Sequence, residues 1–188
     1  YTVYWGNATG VSSSSTAITS ISTDNYTHSS LDNGTTYYYK VAAVDSSGTI
    51  GSLSSEVNAT TALISTHNDT NSHRVGEDCI SCHASGETGK GWFTVSGTVY
   101  KSDKTTAYPN GTVKLYSAAN QGGTLVKSIQ VDGRGNFYTT ESISFSSGLY
   151  PVVEYNGQTI IMQPPTTSGR CYTCHVSGGV AGNVIYGP

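Results

Sequence analysis

The chain has 188 residues, a net charge of −3 and only 11% charged side chains. With no basic cluster and no apolar run near the length of a membrane helix, it offers neither a nucleic-acid surface nor a helical span. Its 14 tyrosines, with abundant Ser, Thr, Gly and Asn, describe a neutral, polar, β-leaning chain long enough for one or two modest domains.

Residues 1–62 read as β-structure. Residues 1–5 alternate, 17–21 follow, and 37–44 form the strongest strand, with Tyr37, Tyr39, Val41 and Ala43 sharing one face. From Leu31 to Val41 the chain spells L-x-x-G-T-x-Y-x-x-x-V, and this segment resembles a fibronectin type III domain. The resemblance implies a small β-sandwich in which Tyr37 is the tyrosine-corner residue and 56–60 the final strand. It aligns residues 1–6 with the third strand, so the first two strands are missing. Three readings of that shortfall stand open. Upstream residues lie outside the sequence, the sandwich is a shorter variant, or another segment adds a strand to the exposed edge, such as the 180–188 tail of a neighbouring copy.

Residues 63–91 form a polar connector. Thr66-His67-Asn68-Asp69-Thr70-Asn71-Ser72-His73 has no apolar periodicity and reads as loop, and it leads into Cys79-Ile80-Ser81-Cys82-His83. Residues 92–163 turn to β again, with candidate strands at 93–100, 112–116, 125–131, 136–139, 150–155 and 159–162. Pro109-Asn110-Gly111, Gln121-Gly122-Gly123 and Asp132-Gly133-Arg134-Gly135-Asn136 supply the turns. The runs S-G-T-V-Y, N-G-T-V-K-L-Y and D-G-R-G-N-F-Y are similar to the small sandwiches related to carboxypeptidase regulatory domains, a resemblance that carries no catalytic residue. Residues 164–188 hold Cys171-Tyr172-Thr173-Cys174-His175 and a tail. The expected architecture is all-β with loop-rich segments: two small β-sandwich modules, the second flanked by two C-x-x-C-H sites.

Those two motifs use all 4 cysteines. C-x-x-C-H is the attachment signature of c-type haem, in which both thiols form thioethers to the porphyrin and the histidine ligates iron. Cys79, Cys82, Cys171 and Cys174 are therefore expected to anchor two covalent c-type haems, with His83 and His175 as proximal ligands. A four-cysteine zinc ribbon spaces its pairs by about 15–20 residues. Here 88 residues separate Cys82 from Cys171, and zinc would not need the two histidines. A disulfide in either C-x-x-C pair would more often be a redox pair in a thioredoxin-like βαβ unit, which this sequence lacks. A connector without its own core can pack on the apolar face of a porphyrin.

Taken together, residues 67–188 look like the multihaem c-type cytochromes of metal-respiring bacteria and some archaea, where β-modules alternate with C-x-x-C-H sites. The resemblance implies the four cysteines as anchors and His83 and His175 as proximal ligands, and carries no further residue. For the other face of each iron, His73 and His67 are candidates, lying six and twelve residues before Cys79. Met162, nine residues before Cys171, is either a cap on the second haem or an apolar strand residue. His28 reads as a surface or turn histidine unless it reaches a haem of another subunit.

An iron closed on both faces favours electron transfer over small-molecule activation. The sequence shows no nucleophile–base constellation, so no enzyme is expected. The leading expectation is an extracellular dihaem electron carrier that serves redox partner proteins or extracellular acceptors, in its strongest form as a self-associating filament. A dihaem peroxidase-like enzyme follows if one iron stays open, and a surface-binding module if haem is only a staple. Six N-x-S/T sequons, at Asn7, Asn25, Asn33, Asn58, Asn68 and Asn110, fit an exported surface. Covalent attachment normally follows export, so a targeting segment is expected to be removed or to lie outside this sequence.

Overall fold

The computed structural model describes residues 1–176 and 184–188. The chain divides into two compact units, Tyr1–Ala62 and Leu63–Pro188. Both are β-structures, as the alternating patterns predict. Among the described residues the helical elements are two three-residue 3-10 turns, and no helix is long and apolar enough to cross a membrane.

The first unit is one antiparallel sheet of β1 (Thr2–Gly6), β2 (Thr16–Ile18), β3 (Thr36–Ala42) and β4 (Val57–Thr60), ordered β2-β1-β3-β4. Tyr4, Val11 and Ala42 are buried on one face, with Tyr38 and Leu53 packed against them. The opposite face pairs Val3 with Val41 and Trp5 with Tyr39. It carries the expected Tyr37–Tyr39–Val41 series, but cover on it is incomplete: Tyr37 is buried while Val41 is exposed. The Tyr37 hydroxyl accepts the Asp32 backbone N–H at 2.9 Å, five residues upstream. His28 lies on this face, edge-on to Trp5 with ring centroids 4.6 Å apart, and its Nδ1 is 3.2 Å from the Tyr39 hydroxyl. Tyr1, Val3, Tyr26, His28, Tyr39 and Val41 line an open groove of about 560 Å³ there.

The second unit stacks two sheets. Its strands are β5 (Val95–Tyr100), β6 (Thr112–Ala118), β7 (Gly122–Gln130), β8 (Asn136–Thr139), β9 (Tyr150–Tyr155), β10 (Gln158–Ile161) and β11 (Ile185–Tyr186). One sheet is antiparallel and ordered β10-β9-β6-β7; the other is β11-β5-β8. Val95, Val99 and Phe137 of the smaller sheet meet Val113, Leu115, Ile129 and Val153 of the larger one. Period-two patterning places each of these side chains on the facing surfaces. β7 starts earlier than its apolar residues suggest, because Gly122 N–H donates to the Ala119 carbonyl at 2.9 Å and closes a tight hairpin.

The smaller sheet is buried on both faces. Ser96 pairs with Tyr138 and Thr98 with Asn136, and all four side chains point away from the sandwich core yet are buried. Their cover is the connector. Ser65 N–H donates to the Tyr138 carbonyl at 3.0 Å and Thr140 N–H to the Leu63 carbonyl at 2.9 Å, so residues 63–65 run along β8. Farther on, Asn136 Nδ2 donates to Ser72 Oγ at 3.0 Å and Gly76 N–H to Thr98 Oγ1 at 2.9 Å. The 63–91 segment is thus a third layer of the second unit and not a free linker.

The tail also differs from expectation. Ile185 and Tyr186 pair in parallel with Val99 and Tyr100 of their own chain. These residues pair with an edge of the second unit of their own chain; residues 177–183 of that tail lie outside the described residues. Phe137 is the largest fully buried side chain in this core. Phe137→Ala is expected to cost about 3–5 kcal/mol, lowering the denaturant midpoint while leaving the slope of the transition unchanged.

Candidate functional site

Both C-x-x-C-H segments fold as 3-10 turns, Cys79–Ser81 and Cys171–Thr173, and each returns its histidine N–H to the first cysteine's carbonyl. Both turns are built on β5. The first lies over its outer face, where Gly76 N–H, three residues before Cys79, donates to Thr98 Oγ1 at 2.9 Å. The second runs along its edge: Ser96 N–H donates to the Gly169 carbonyl at 3.0 Å, and Ser96 and Arg170 form a parallel bridge. The chain approaches so closely ahead of each turn that only glycine fits. A Cβ at Gly169 would lie 2.0 Å from the Thr94 carbonyl oxygen, and one at Gly76 would lie 2.1 Å from the Tyr100 hydroxyl. The residues ahead of the two first cysteines also touch, through a forked ion pair between Arg170 and Asp78.

The first turn opens onto a cleft of about 210 Å³ lined by Leu63, His73, Cys82, His83, Phe93 and Tyr138. The His83 ring stacks on Phe93 at 4.1 Å with planes 4° apart, and Phe93 stacks on Tyr138 at 4.8 Å. Nδ1 of His83 lies 3.0 Å from the Lys90 carbonyl and 3.3 Å from that of Gly91. Donation from Nδ1 fixes the tautomer and leaves Nε2 as a bare lone pair, the arrangement found behind metal-bound histidines. His73 lines the same cleft, its ring centroid 6.0 Å from that of His83 and its plane inclined 39°. Two imidazole nitrogens on opposite sides of one metal, each bonded at about 2 Å, place their rings about 6 Å apart. Burial, with smaller contributions from Asp69, Asp132 and Cys79, pushes the Tyr138 hydroxyl up to about 12, so this wall of the cleft is uncharged.

The second turn borders a cleft of about 230 Å³ whose lining includes Gly76, Thr98, Tyr100, Tyr172, His175 and Ile185. Among the described residues Nδ1 of His175 is buried without a hydrogen-bond partner. Burial lowers the pKa of this imidazole, and the nearby Val184 backbone opposes that only in part. Among the described residues lining this cleft, His175 is the sole histidine.

Cys171 packs against the sandwich core, and its thiol is pushed up to about 12, first by burial and next by Cys174. Burial likewise raises the Cys79 thiol. A neutral thioether at either position would carry no charge into these surroundings. Among the described residues no group of three or more His, Cys, Asp or Glu is placed to hold a metal ion, so the two cysteine pairs do not converge on one four-cysteine centre.

Of the remaining candidates, His67 and Met162 line neither cleft. His67 is tied down elsewhere, its Nε2 2.8 Å from the Gly111 carbonyl and its backbone N–H donating to Gln130 Oε1 at 2.8 Å. The connector has turned away from the cleft at that point, because its first residues run along β8 and the sheet edge. Met162 closes β10, where its N–H donates to the Pro151 carbonyl at 2.9 Å, and lines neither cleft. His28 belongs to the first unit. Phe93, Tyr138 and Ser96 carried no site signal in the sequence. Asp78 and Arg170 did carry one, since opposite charges stand at the same offset before each motif.

Comparison with protein-family models, curated proteins and solved structures gives no match to this chain. What the site does is therefore argued from its own geometry. Gly169→Ala is expected to lift the second motif from β5 and destabilise the second unit by about 1–3 kcal/mol, the usual cost of overpacking, in chemical denaturation.

Proposed function

We propose that this chain is an electron carrier that holds two covalent c-type haems side by side on one β-strand. One observation carries the reading: both C-x-x-C-H turns dock on β5, and at the first of them His83 and His73 line one cleft with ring centroids 6.0 Å apart. When bound, haem supplies a one-electron redox centre at each motif. The four cysteines tether the rings, and His83 and His175 present imidazole nitrogens to the irons. Lys90 and Gly91 carbonyls hold His83 in one tautomer, while Phe93 and Tyr138 keep water from its flank. His73, in the same cleft, would supply the second imidazole to that haem, and an iron held by two protein ligands would favour electron transfer over binding a substrate. No residue is assigned a catalytic role in this reading.

Covalent attachment places the chain outside the cytoplasm, with redox proteins or extracellular acceptors as its partners. Its extension to a self-associating filament rests on two features, the open groove of the first unit and the single histidine at the second cleft. The latter also favours a second reading, a dihaem peroxidase-like enzyme in which the iron at His175 keeps an open position for a small ligand.

Intact mass and a pyridine haemochrome assay are expected to give two haems per chain, and a haem-free mass would end the proposal. His73→Ala is expected to keep both haems while turning the iron at His83 from low spin to high spin in the EPR spectrum; an unchanged spectrum would remove His73 as a ligand. High-spin iron in the unsubstituted protein, with rapid peroxide turnover, would favour the peroxidase reading.

A further inference from the structure

The two motifs are joined by a contact that neither haem attachment nor iron ligation requires. Asp78 stands immediately before Cys79, and Arg170 immediately before Cys171. Arg170 Nε donates to Oδ1 and Oδ2 of Asp78 at 3.1 and 2.9 Å, and Nη2 donates again to Oδ2. A fork of this kind fixes orientation as well as distance. The Asp78 side chain is only 16% exposed, which spares the pair much of the screening that weakens surface ion pairs.

Position gives the contact its consequence. Asp78 and Arg170 are the residues from which the two 3-10 turns start. Moving either one moves the first cysteine of its motif and whatever that cysteine tethers. β5 holds the chain ahead of each turn separately, at Gly76 through Thr98 Oγ1 and at the Gly169 carbonyl through Ser96 N–H. Of the ion pairs among the described residues, Arg170–Asp78 alone joins one turn to the other.

We infer that Asp78 and Arg170 form a clamp that sets the spacing and mutual orientation of the two haems. The inference rests on the two-haem reading above. Both are positioning residues, since neither lies where a cysteine or an axial ligand is needed. In the exchange they govern, an electron leaves one reduced iron and reduces the other, with no net change in charge or protons.

The test uses haem-loaded protein: the unsubstituted chain, Arg170→Met, Asp78→Asn and the exchanged pair Asp78→Arg with Arg170→Asp. Haem content is measured first, and absence of haem from the unsubstituted protein counts against the two-haem reading and not the clamp. The readouts are the bisignate Soret circular dichroism of coupled haems and the rate of interhaem electron transfer after flash reduction. Both single variants are expected to keep two haems and their spin states while losing most of the couplet amplitude and slowing the transfer. The exchanged pair is expected to recover both. Should Arg170→Met fail to load haem, Asp78→Asn carries the test, because it keeps the volume and one acceptor oxygen. A full couplet and an unchanged rate in a fully loaded single variant overturn the clamp.

Discussion

β5 is asked to do two things that a strand in a two-layer sandwich is not. Val95 and Val99 close the hydrophobic core on one side, while Ser96 and Thr98 are buried on the other against the connector. A strand covered on both faces usually reads as continuously apolar. Here the outer row is small and hydroxyl-bearing, so it can hydrogen-bond irregular chain laid across it. Thr98 takes the Gly76 N–H, and the Ser96 N–H holds the Gly169 carbonyl. Through these contacts, two motifs 88 residues apart become neighbours.

The environment of the sulfurs and imidazoles follows from that placement. Motifs pressed against a buried strand lose water, and the Cys79 and Cys171 thiols are held in their neutral form. The same burial would be costly at a thiolate metal site and costs nothing at a thioether. At His83 the protein goes further, clamping the ring between an aromatic stack and two carbonyls so that one nitrogen is committed and the other is left bare. His175 has no matching clamp in the described residues, since its Nδ1 is buried without a partner. The two sites are built from one motif but finished differently.

Much of this was legible in the sequence. Strict alternation gave β5, β6 and β9 nearly to the residue, and the turn-forming Asp132 run fell where its carboxylate caps the Arg134 and Asn136 N–H groups. The two motifs stood out because C-x-x-C-H is a local signal. What stayed hidden was non-local. Nothing in residues 63–76 announces that they pair with β8 and cover Ser96, because a polar, aperiodic run is as consistent with free loop as with a layer held by backbone hydrogen bonds. His73 and His67 were both candidates because they precede Cys79 in one loop, though the path of the connector brings only His73 into the cleft. The tail was readable as a strand to be added to a sheet, but its parallel pairing with β5 of its own chain depends on a surface that exists only after the sandwich forms.

The central claim is that two irons sit beside β5, one at each motif. Anomalous diffraction at the iron edge from crystals of the haem-loaded protein tests it most directly. The account predicts two iron peaks per chain within the second unit, one between His83 and His73 and the other beside His175, each in a macrocycle bonded to its own cysteine pair. A single metal peak held by all four cysteines would contradict it, as would two irons placed on opposite sides of the sandwich.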